Sequence, residues 1–333
     1  MKRNILIIIL VLAAVFVALN YIAANHAGKK IDKSIKTQVD SLDTSLSVSY
    51  SKVHVGPFSG NINFSNVKLQ NKMSEEQIHH LQLDLSYFDF LRIYFGGPKH
   101  GLKKLSSAKI HFKKISYLNH QSHRNISFGT LNISYHGNVW DAIQTLQSNK
   151  SLKHSQRFDI KATGLRYSNP NDSLGIFKSD SVHFHYVIPK TVKEKKQLRN
   201  SIQFANITWL LPAHIKNKYG LFIQGFGFPA DSIPIAKTGC HFSGLSHKNI
   251  KVENGQIKTE PFTIKFDGNI VKDSTWSAAR LAPMNIAIVN FSKKIKSELS
   301  GFGFFNTKGS KKKQNITFKL KGPISSPRVI QNK

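Results

Sequence analysis

The stretch VSYSKVHVGPFSGNINFSNVKLQ, residues 48–70, reads as a β-hairpin in which both strands change phase. The apolar residues of the second arm alternate, skip one place and alternate again; they are Ile62, Phe64, Val67 and Leu69. The first arm repeats this pattern with four apolar residues of its own. One extra residue in a strand is the mark of a β-bulge, which returns the apolar side chains to the same face after a bend. The stretch therefore predicts a bent hairpin at the start of a curved antiparallel sheet.

The same change of phase recurs further along the chain. It is found again from Ile110 to Tyr117, and looser copies begin at Ile160 and Ile202. Elsewhere apolar and polar residues alternate with a period of two, which is typical of strands that present one face to a core. The alternation predicts strands at HLQLDL, AKIHFKKISY, GTLNISY, RFDIKATGLRY, SVHFHYVI, NSIQFANITW, GLFIQGF, PFTIKFDG, MNIAIVNF and NITFKLKG, with short helical breaks near residues 86–95 and 138–147.

The composition favours a folded, non-catalytic protein with anionic partners. Hydrophobic residues make up 40% of the 333 residues, which is enough for a packed core. The 48 Lys and Arg residues against 18 Asp and Glu residues give a formal charge of +30, which attracts anionic membranes, glycolipids or nucleic acid. The sequence has no phosphate-binding glycine loop, no nucleophile elbow and no metalloprotease motif, and carboxylates are scarce. We therefore expect no enzyme activity and no cofactor.

The N-terminus predicts a membrane anchor. Residues 5–24, ILIIILVLAAVFVALNYIAA, contain no charged side chain and are long enough to cross a bilayer as a helix. A cleaved signal peptide is the alternative, but its apolar core is ordinarily shorter than this run. We expect an uncleaved signal-anchor helix at residues 1–26. An amphipathic helix follows at residues 27–46, where it either lies on the membrane surface or caps the first sheet.

The charges around the span bear on the side of the membrane on which the large domain lies. Four lysines follow the span within residues 29–36, whereas one lysine and one arginine precede it. Positive residues favour the cytoplasmic side, so this count alone predicts a cytoplasmic, membrane-tethered basic domain. After the anchor the chain reads as one β-rich domain, residues 47–333, with one candidate sub-boundary near residues 191–200.

Several longer segments occur in an order that resembles a known family. An N-terminal span and a short helix lead into VSYSKVHVGPFSGNINFSNVKL, then HLQLDLSYFDFLRI, then LKKLSSAKIHFKKISY. Near the end, ENGQIKTEPFTIKFDGNI has the rhythm of a late hairpin, and ITFKLKGPISSPRV that of a closing strand. This order is similar to AsmA-like proteins, the AsmA and TamB group, which includes small members such as type II secretion protein N. The present chain is more basic than those proteins and shorter than the long members.

The resemblance implies a bacterial inner-membrane protein with a periplasmic β-rich body, and we adopt that orientation over the lysine count. Its fold would be mainly β: a curved antiparallel sheet, either an open groove with an apolar floor or a β-sandwich, with a few short helices. It would bind or convey a phospholipid or anionic glycolipid in outer-membrane and envelope biogenesis. The alternative is a non-catalytic assembly factor with a closed β core, acting with envelope or secretion-system protein partners.

Two sets of residues are candidate contact sites. An apolar groove would be lined by inward-facing residues of the first strands, namely Val48, Tyr50, Ile62, Phe64, Leu81, Leu83, Leu85, Ile110, Phe112, Leu131 and Ile133. Anionic headgroups or the membrane surface would attract two basic clusters, namely Lys193, Lys195, Lys196 and Arg199, and Lys293, Lys294 and Lys296. Each such residue contributes about 1 kcal/mol near an anionic surface.

Metal and nucleic-acid partners are disfavoured. His183 and His185 share one face of a predicted strand, but no carboxylate or cysteine nearby completes a metal-binding set. The basic residues are spread evenly, and no recognition helix or RNA-binding motif accompanies them. Cys240 is the only cysteine, so an intramolecular disulfide is excluded.

Overall fold

The computed structural model describes a large part of the chain after the predicted anchor. The described residues are 47–55, 61–86, 88–89, 92, 98–141, 155–169, 175–188, 200–243, 249–272, 279–301, 315–324 and 326–330. The predicted signal-anchor helix at residues 1–26 and amphipathic helix at residues 27–46 lie outside them. Within the described residues, no helix has the length and apolar character needed to cross a membrane.

The chain is mainly β, as the alternation predicts, and the strands of its described residues form one open antiparallel sheet of 15 strands. Each strand pairs with the next in sequence from β3 onward, and both β1 and β2 pair with β3. The first seven strands are β1 (Ser47–Ser49), β2 (Lys52–Val55), β3 (Ile62–Gln70), β4 (Ser74–Asp84), β5 (Ser107–Asn119), β6 (Asn125–His136) and β7 (Gln156–Ser168).

The remaining strands continue the same meander. They are β8 (Ile176–Ile188), β9 (Asn200–Leu210), β10 (Ser232–Ser243), β11 (Asn249–Lys258), β12 (Thr263–Val271), β13 (Arg280–Val289), β14 (Ile316–Pro323) and β15 (Arg328–Ile330). Three helices interrupt the described strands, namely α1 (Pro98–Lys104), α2 (Ala213–Gly225) and α3 (Lys293–Gly301). Residues 138–141, at the start of one predicted helical break, include a short helical stretch.

Two compact units divide the chain. The first comprises residues 1–171 and 187–194, and so contains β1 to β7. The second comprises residues 172–186 and 195–333, which include β9 to β15 and most of β8. The candidate sub-boundary near residues 191–200 falls almost wholly on residues outside the described part of the chain, so it stays a prediction.

A residue with left-handed backbone lies at the phase change of alternate strands in the first unit. These residues are Asn66 in β3 with φ 51°, Lys114 in β5 with φ 50° and Gly164 in β7 with φ 62°. Each separates the two halves of an apolar alternation. Left-handed backbone is common for Gly and Asn and uncommon for Lys, so Lys114 marks a local constraint of the fold.

The pairing register does not shift at these phase changes. Phe64 pairs with Leu81 and Val67 pairs with Ile78, so two residues lie between the pairs on both strands. The register between β4 and β5 is likewise constant. The prediction of a one-residue bulge is therefore wrong for this unit. Neighbouring strands change phase together, which keeps their apolar side chains aligned on one face.

Register shifts do occur in the second unit, where the sequence gives no strict copy of the pattern. They fall between β10 and β11, β11 and β12, β12 and β13, and β13 and β14. Gly255 lies at one of them, and a Cβ there would collide with the ring of Phe266. Such bulges bend a strand and increase its twist.

In the segment GLFIQGF, residues 220–225 are helical in the structure, so the strand prediction for this segment is wrong. It forms the second half of α2, which begins directly after Pro212. The amides of Ile215 and Lys216 both donate to the Pro212 carbonyl at 3.0 Å, which closes the first turn. A short apolar run has no periodicity that separates a strand from a helix, so the preceding Pro212 was the more informative signal.

Candidate functional site

The eleven residues predicted to line an apolar groove come together in one apolar cluster of the first unit. Six of them are buried, namely Ile62, Phe64, Leu81, Leu83, Leu85 and Phe112. The other five are partly buried against the cluster, namely Val48, Tyr50, Ile110, Leu131 and Ile133. The constant register aligns these side chains on one face of the first six strands. Whether they contact lipid stays a prediction.

Burial separates this cluster into a packed part and an accessible part. Ile62 is 0% exposed and Leu83 is 1% exposed, so protein atoms already surround both side chains. An acyl chain could reach them only if neighbouring protein moved aside. Leu131 and Ile133 on β6 keep part of their surface accessible. Among the described residues of the cluster, a ligand could therefore reach the accessible rim without rearrangement of the protein.

A second apolar face lies on β8, β9 and β10 of the second unit, and it is missing from the predicted groove. Ile202 pairs with Phe184, and Phe204 pairs with Val182, so these side chains share one side of the strands. All four are partly exposed, whereas Gln203 between them on β9 is exposed on the opposite side. The looser phase change that begins at Ile202 was the sequence signal for this face.

Aromatic rings make up much of this second face. Phe184 stacks on Tyr186 and on Phe242, with ring centroids 5.8 and 5.9 Å apart. Phe177 stacks on Trp209 with centroids 6.0 Å apart. Aromatic side chains offer a large apolar area with little rotamer freedom to lose, so such a surface suits an apolar ligand.

No second sheet covers either face among the described residues. Within each unit, the extensive contacts between described strands run between neighbours in the sheet. Antiparallel sheets commonly bury one face and expose the other, and here the apolar face on β8 to β10 is only partly buried, while the opposite face is exposed. That combination is the feature of the second unit most suited to binding.

The opposite face of the first unit is polar and carries basic groups. His111 lies between strands, with its Nε2 atom 2.8 Å from Asp84 Oδ2 and its Nδ1 atom 2.7 Å from Asn132 Oδ1. A pocket of about 620 Å³ opens at the phase change of this unit, with Lys68 and Lys114 in its lining. Lys68 forms an ion pair with Glu75 at 3.3 Å, and this surface contact is a weak one.

A larger pocket, of about 700 Å³, lies at the bulged strands of the second unit. Its lining contains two positive residues, Lys251 and Lys265, and two negative residues, Glu253 and Asp267, so the formal charges cancel. Lys251 Nζ lies 2.6 Å from Glu253 Oε1, so part of this charge is already paired. The pocket therefore shows no preference for a charged ligand.

One of the two predicted basic clusters is described. Lys293, Lys294 and Lys296 are exposed on α3. The other cluster, Lys193, Lys195, Lys196 and Arg199, lies outside the described residues. The α3 lysines remain candidates for headgroup contact, because all three are exposed while Ile295 of the same helix packs into a buried cluster.

Buried hydroxyl and thiol groups are held neutral. Burial raises the pKa of Tyr135, with a smaller contribution from Asp141, and the Tyr135 hydroxyl donates to the Asn138 carbonyl at 3.0 Å. Burial likewise raises the pKa of Tyr186 and of the Cys240 thiol. A raised pKa keeps more of each group in its neutral form at a given pH.

The described histidines do not assemble into a metal centre. His183 and His185 lie on β8, in register with Gln203 and Ser201. Within the part of the chain that the structure describes, no three His, Cys, Asp or Glu side chains are grouped closely enough to hold a metal ion.

The chain matches no protein-family model, and no curated protein shows significant similarity to it. The class of protein rests on the fold alone, which is a β-rich chain built on a long antiparallel meander.

Proposed function

We propose that this chain is an AsmA-like envelope protein, anchored in a bacterial inner membrane, whose periplasmic β-rich domain binds or conveys lipid in outer-membrane biogenesis. It acts without catalysis and without a cofactor. Its ligand is a phospholipid or anionic glycolipid, and nucleic acid is not a partner. The order of segments along the sequence supports the family, and the geometry of the sheet supports the binding role.

The observation that carries the binding role is the partly exposed apolar face on β8, β9 and β10. Phe184, Ile202 and Phe204 present accessible apolar surface side by side, and no described strand packs across them. Burying such surface contributes roughly 25 cal/mol per Å², so an acyl chain laid on this face would be held without any specific polar contact. A ligand held in this way could also slide along the strands.

The proposed lipid contact also includes some of the groove residues predicted from the sequence, namely those at the accessible rim of the first unit. Ile110, Leu131 and Ile133 offer partly exposed surface, and they would contact acyl chains. The buried members of the predicted groove, such as Ile62 and Leu83, support that rim by packing and make no ligand contact.

One observation favours the second candidate function, an assembly factor with a closed core. Ile62 and Leu105 are both 0% exposed, which is the burial of an ordinary protein core. If the accessible apolar face were also covered by a protein partner, the whole domain would serve assembly rather than lipid movement.

Site-specific photocrosslinking separates the two functions. Benzoylphenylalanine placed at Phe204 lies on the apolar face, and the same group at Gln203 lies on the opposite side of the same strand. With the full chain in bacterial cells, the lipid function predicts a lipid adduct at position 204 and none at position 203. Protein adducts alone at position 204 would overturn lipid binding and favour the assembly factor.

A further inference from the structure

Helix α2 exposes three large apolar side chains. Leu221 is 87% exposed, Phe222 is 67% exposed and Tyr219 is 46% exposed. The opposite side of the helix faces the protein, where Gly220 is buried and a Cβ at that position would lie 3.8 Å from the Ala230 carbonyl. A single exposed Leu needs no explanation, but Leu221 and Phe222 are adjacent and both expose most of their surface, which marks an interaction surface.

A basic side chain lies beside Leu221 and Phe222 on the exposed side of α2. Lys218 precedes Leu221 by three positions and Phe222 by four, so it neighbours both on the helix surface. Lys218 Nζ also lies 5.2 Å from the centre of the Tyr219 ring. His214 and Lys216 are exposed as well, although Lys216 lies nearer to Gly220 than to Leu221 and Phe222. α2 contains no acidic residue.

Helix α3 lies at the same end of the second unit's sheet. β10 starts just after α2, and Lys237 on β10 pairs with Lys258 at the end of β11. Lys258 in turn pairs with Thr263, and Thr263 with Val289, the last residue of β13 before α3. The exposed lysines of α3 therefore share this end of the sheet with those of α2.

An aromatic chain connects the two helices. Phe222 contacts Phe226 with ring centroids 4.7 Å apart, and Phe226 lies 6.2 Å from Phe262. Phe262 lies 6.3 Å from Phe291, which packs with Ile295 of α3 in one buried cluster. Although Phe222 is mostly exposed, its ring contacts Phe226, which packs against the buried cluster of Phe291 and Ile295.

We propose that this α2–α3 end docks on an anionic lipid bilayer, with Leu221 and Phe222 inserted between headgroups and acyl chains and the lysines on lipid phosphates. Leu221 and Phe222 expose apolar surface beside Lys218, and a lysine stem can run along such surface while its ammonium group reaches the headgroups. The charge favours an anionic bilayer over a second copy of this chain as the binding partner, because two chains that each carry a formal charge of +30 repel one another.

This inference deepens the headgroup contact proposed for α3 and does not depend on the acyl-binding face. The apolar side of α2 carries it. A membrane-docked end would place the rest of the domain within reach of the lipids that it is proposed to bind.

A fluorescent label on the helix tests the inference in the full chain. In a Cys240→Ser background, Leu221→Cys is labelled with the environment-sensitive dye NBD and reconstituted into vesicles of equal phosphatidylcholine and phosphatidylglycerol. Met73→Cys, at a site 57% exposed in a turn of the first unit, provides the matched label. Docking predicts a blue shift and strong quenching by doxyl-labelled lipid at position 221, and a water-exposed, unquenched signal at position 73.

Charge variants distinguish docking from a chance approach to the membrane. Lys216→Gln with Lys218→Gln is expected to abolish most of the quenching at position 221. Lys321→Gln with Arg328→Gln removes the same charge from exposed, paired positions at the opposite end of the sheet, and should leave the quenching unchanged. Equal quenching at positions 221 and 73 would overturn the inference, as would a position 221 shielded from water but not quenched by lipid.

Failure of this docking and failure of lipid binding give different results. Phe204→Asp removes the proposed acyl contact and is expected to leave quenching at position 221 intact. If quenching at position 221 were lost in that variant too, docking would not be the independent property that the structure of α2 implies.

Discussion

Lys114 holds its backbone at φ 50°, a region that side chains with a Cβ enter at a cost. Asn66 at the equivalent phase change of β3 tolerates this region better, because Asn adopts left-handed backbone more readily than Lys does. The phase change is therefore imposed by the sheet as a whole, since β5 makes it with an unfavourable residue. At the residue scale, the sequence shows where the alternation changes phase. It does not show which residue at the phase change adopts the left-handed backbone conformation.

Replacing Lys114 by Gly is expected to stabilise the fold. Relief of left-handed strain is worth about 1 to 2 kcal/mol. The extra entropy of an unfolded Gly offsets about 0.5 to 1 kcal/mol of that. We expect the free energy of unfolding, measured by urea titration, to rise by about 0.5 to 1 kcal/mol. Lys113→Gly, at the neighbouring paired position, should lower it instead. A loss of stability in Lys114→Gly would contradict the assigned conformation.

The Cys240 thiol is expected to react slowly while the chain is folded. Burial raises its pKa, so less of it is thiolate at any given pH than in the unfolded chain. Alkylation by iodoacetamide should therefore be slower in the folded protein than in urea, and its rate should rise with pH through a higher midpoint. Equal rates in the two states would show that Cys240 does not lie where the structure puts it.

At the scale of the element, helix α2 shows that a short apolar run does not distinguish a helix from a strand. Leu221, Phe222 and Ile223 have the composition of a strand, yet the segment folds as a helix at the end of β9. Two glycines flank the run, and one of them, Gly220, is buried against the turn before β10. Helix propensity is low here, so the helix depends on packing of Phe226 and on the turn at Pro212.

Gly220→Ala is expected to stabilise this helix. Ala is favoured over Gly in a helix interior by about 1 kcal/mol, and its Cβ would make only ordinary contacts, the nearest at 3.8 Å. The thermal midpoint should therefore rise. Gly239→Ala makes the same change in β10, where the Cβ would lie 2.6 Å from the Ile202 carbonyl oxygen, and it should lower stability by about 1 to 3 kcal/mol. The reverse order of the two variants would refute the placement of α2.

For the whole molecule, the sequence predicted the β-rich class and most strands, because period-two alternation reports directly which residues share a face. The eleven groove candidates lie in one apolar cluster of the first unit, and their contact with lipid stays a prediction. It did not predict that Ile62 and Leu83 would be buried by protein, since alternation is the same for a dry core and for a ligand-lined face. The apolar face on β8 to β10 was missed because Ala205 blurs the pattern on β9.

Topology is a prediction for the whole chain, because the lysines after the span and the family resemblance point in opposite directions. We expect a periplasmic domain, so alkaline phosphatase fused to the C-terminus should be active, and green fluorescent protein at the same site should stay dark. If the green fluorescent protein fusion were fluorescent and the phosphatase fusion inactive, the domain would be cytoplasmic. That result would contradict the proposed envelope function.

The central claim is that the apolar face on β8 to β10 holds lipid, and mass spectrometry of co-purified lipid tests it most directly. The full chain, Phe204→Asp and Gln203→Asp would be purified in parallel in the same detergent. We expect near-stoichiometric lipid with the unaltered chain and with Gln203→Asp, and a large loss with Phe204→Asp, provided that all three give the same β-sheet circular dichroism. Equal lipid content in the three proteins, or none in any of them, would contradict the account.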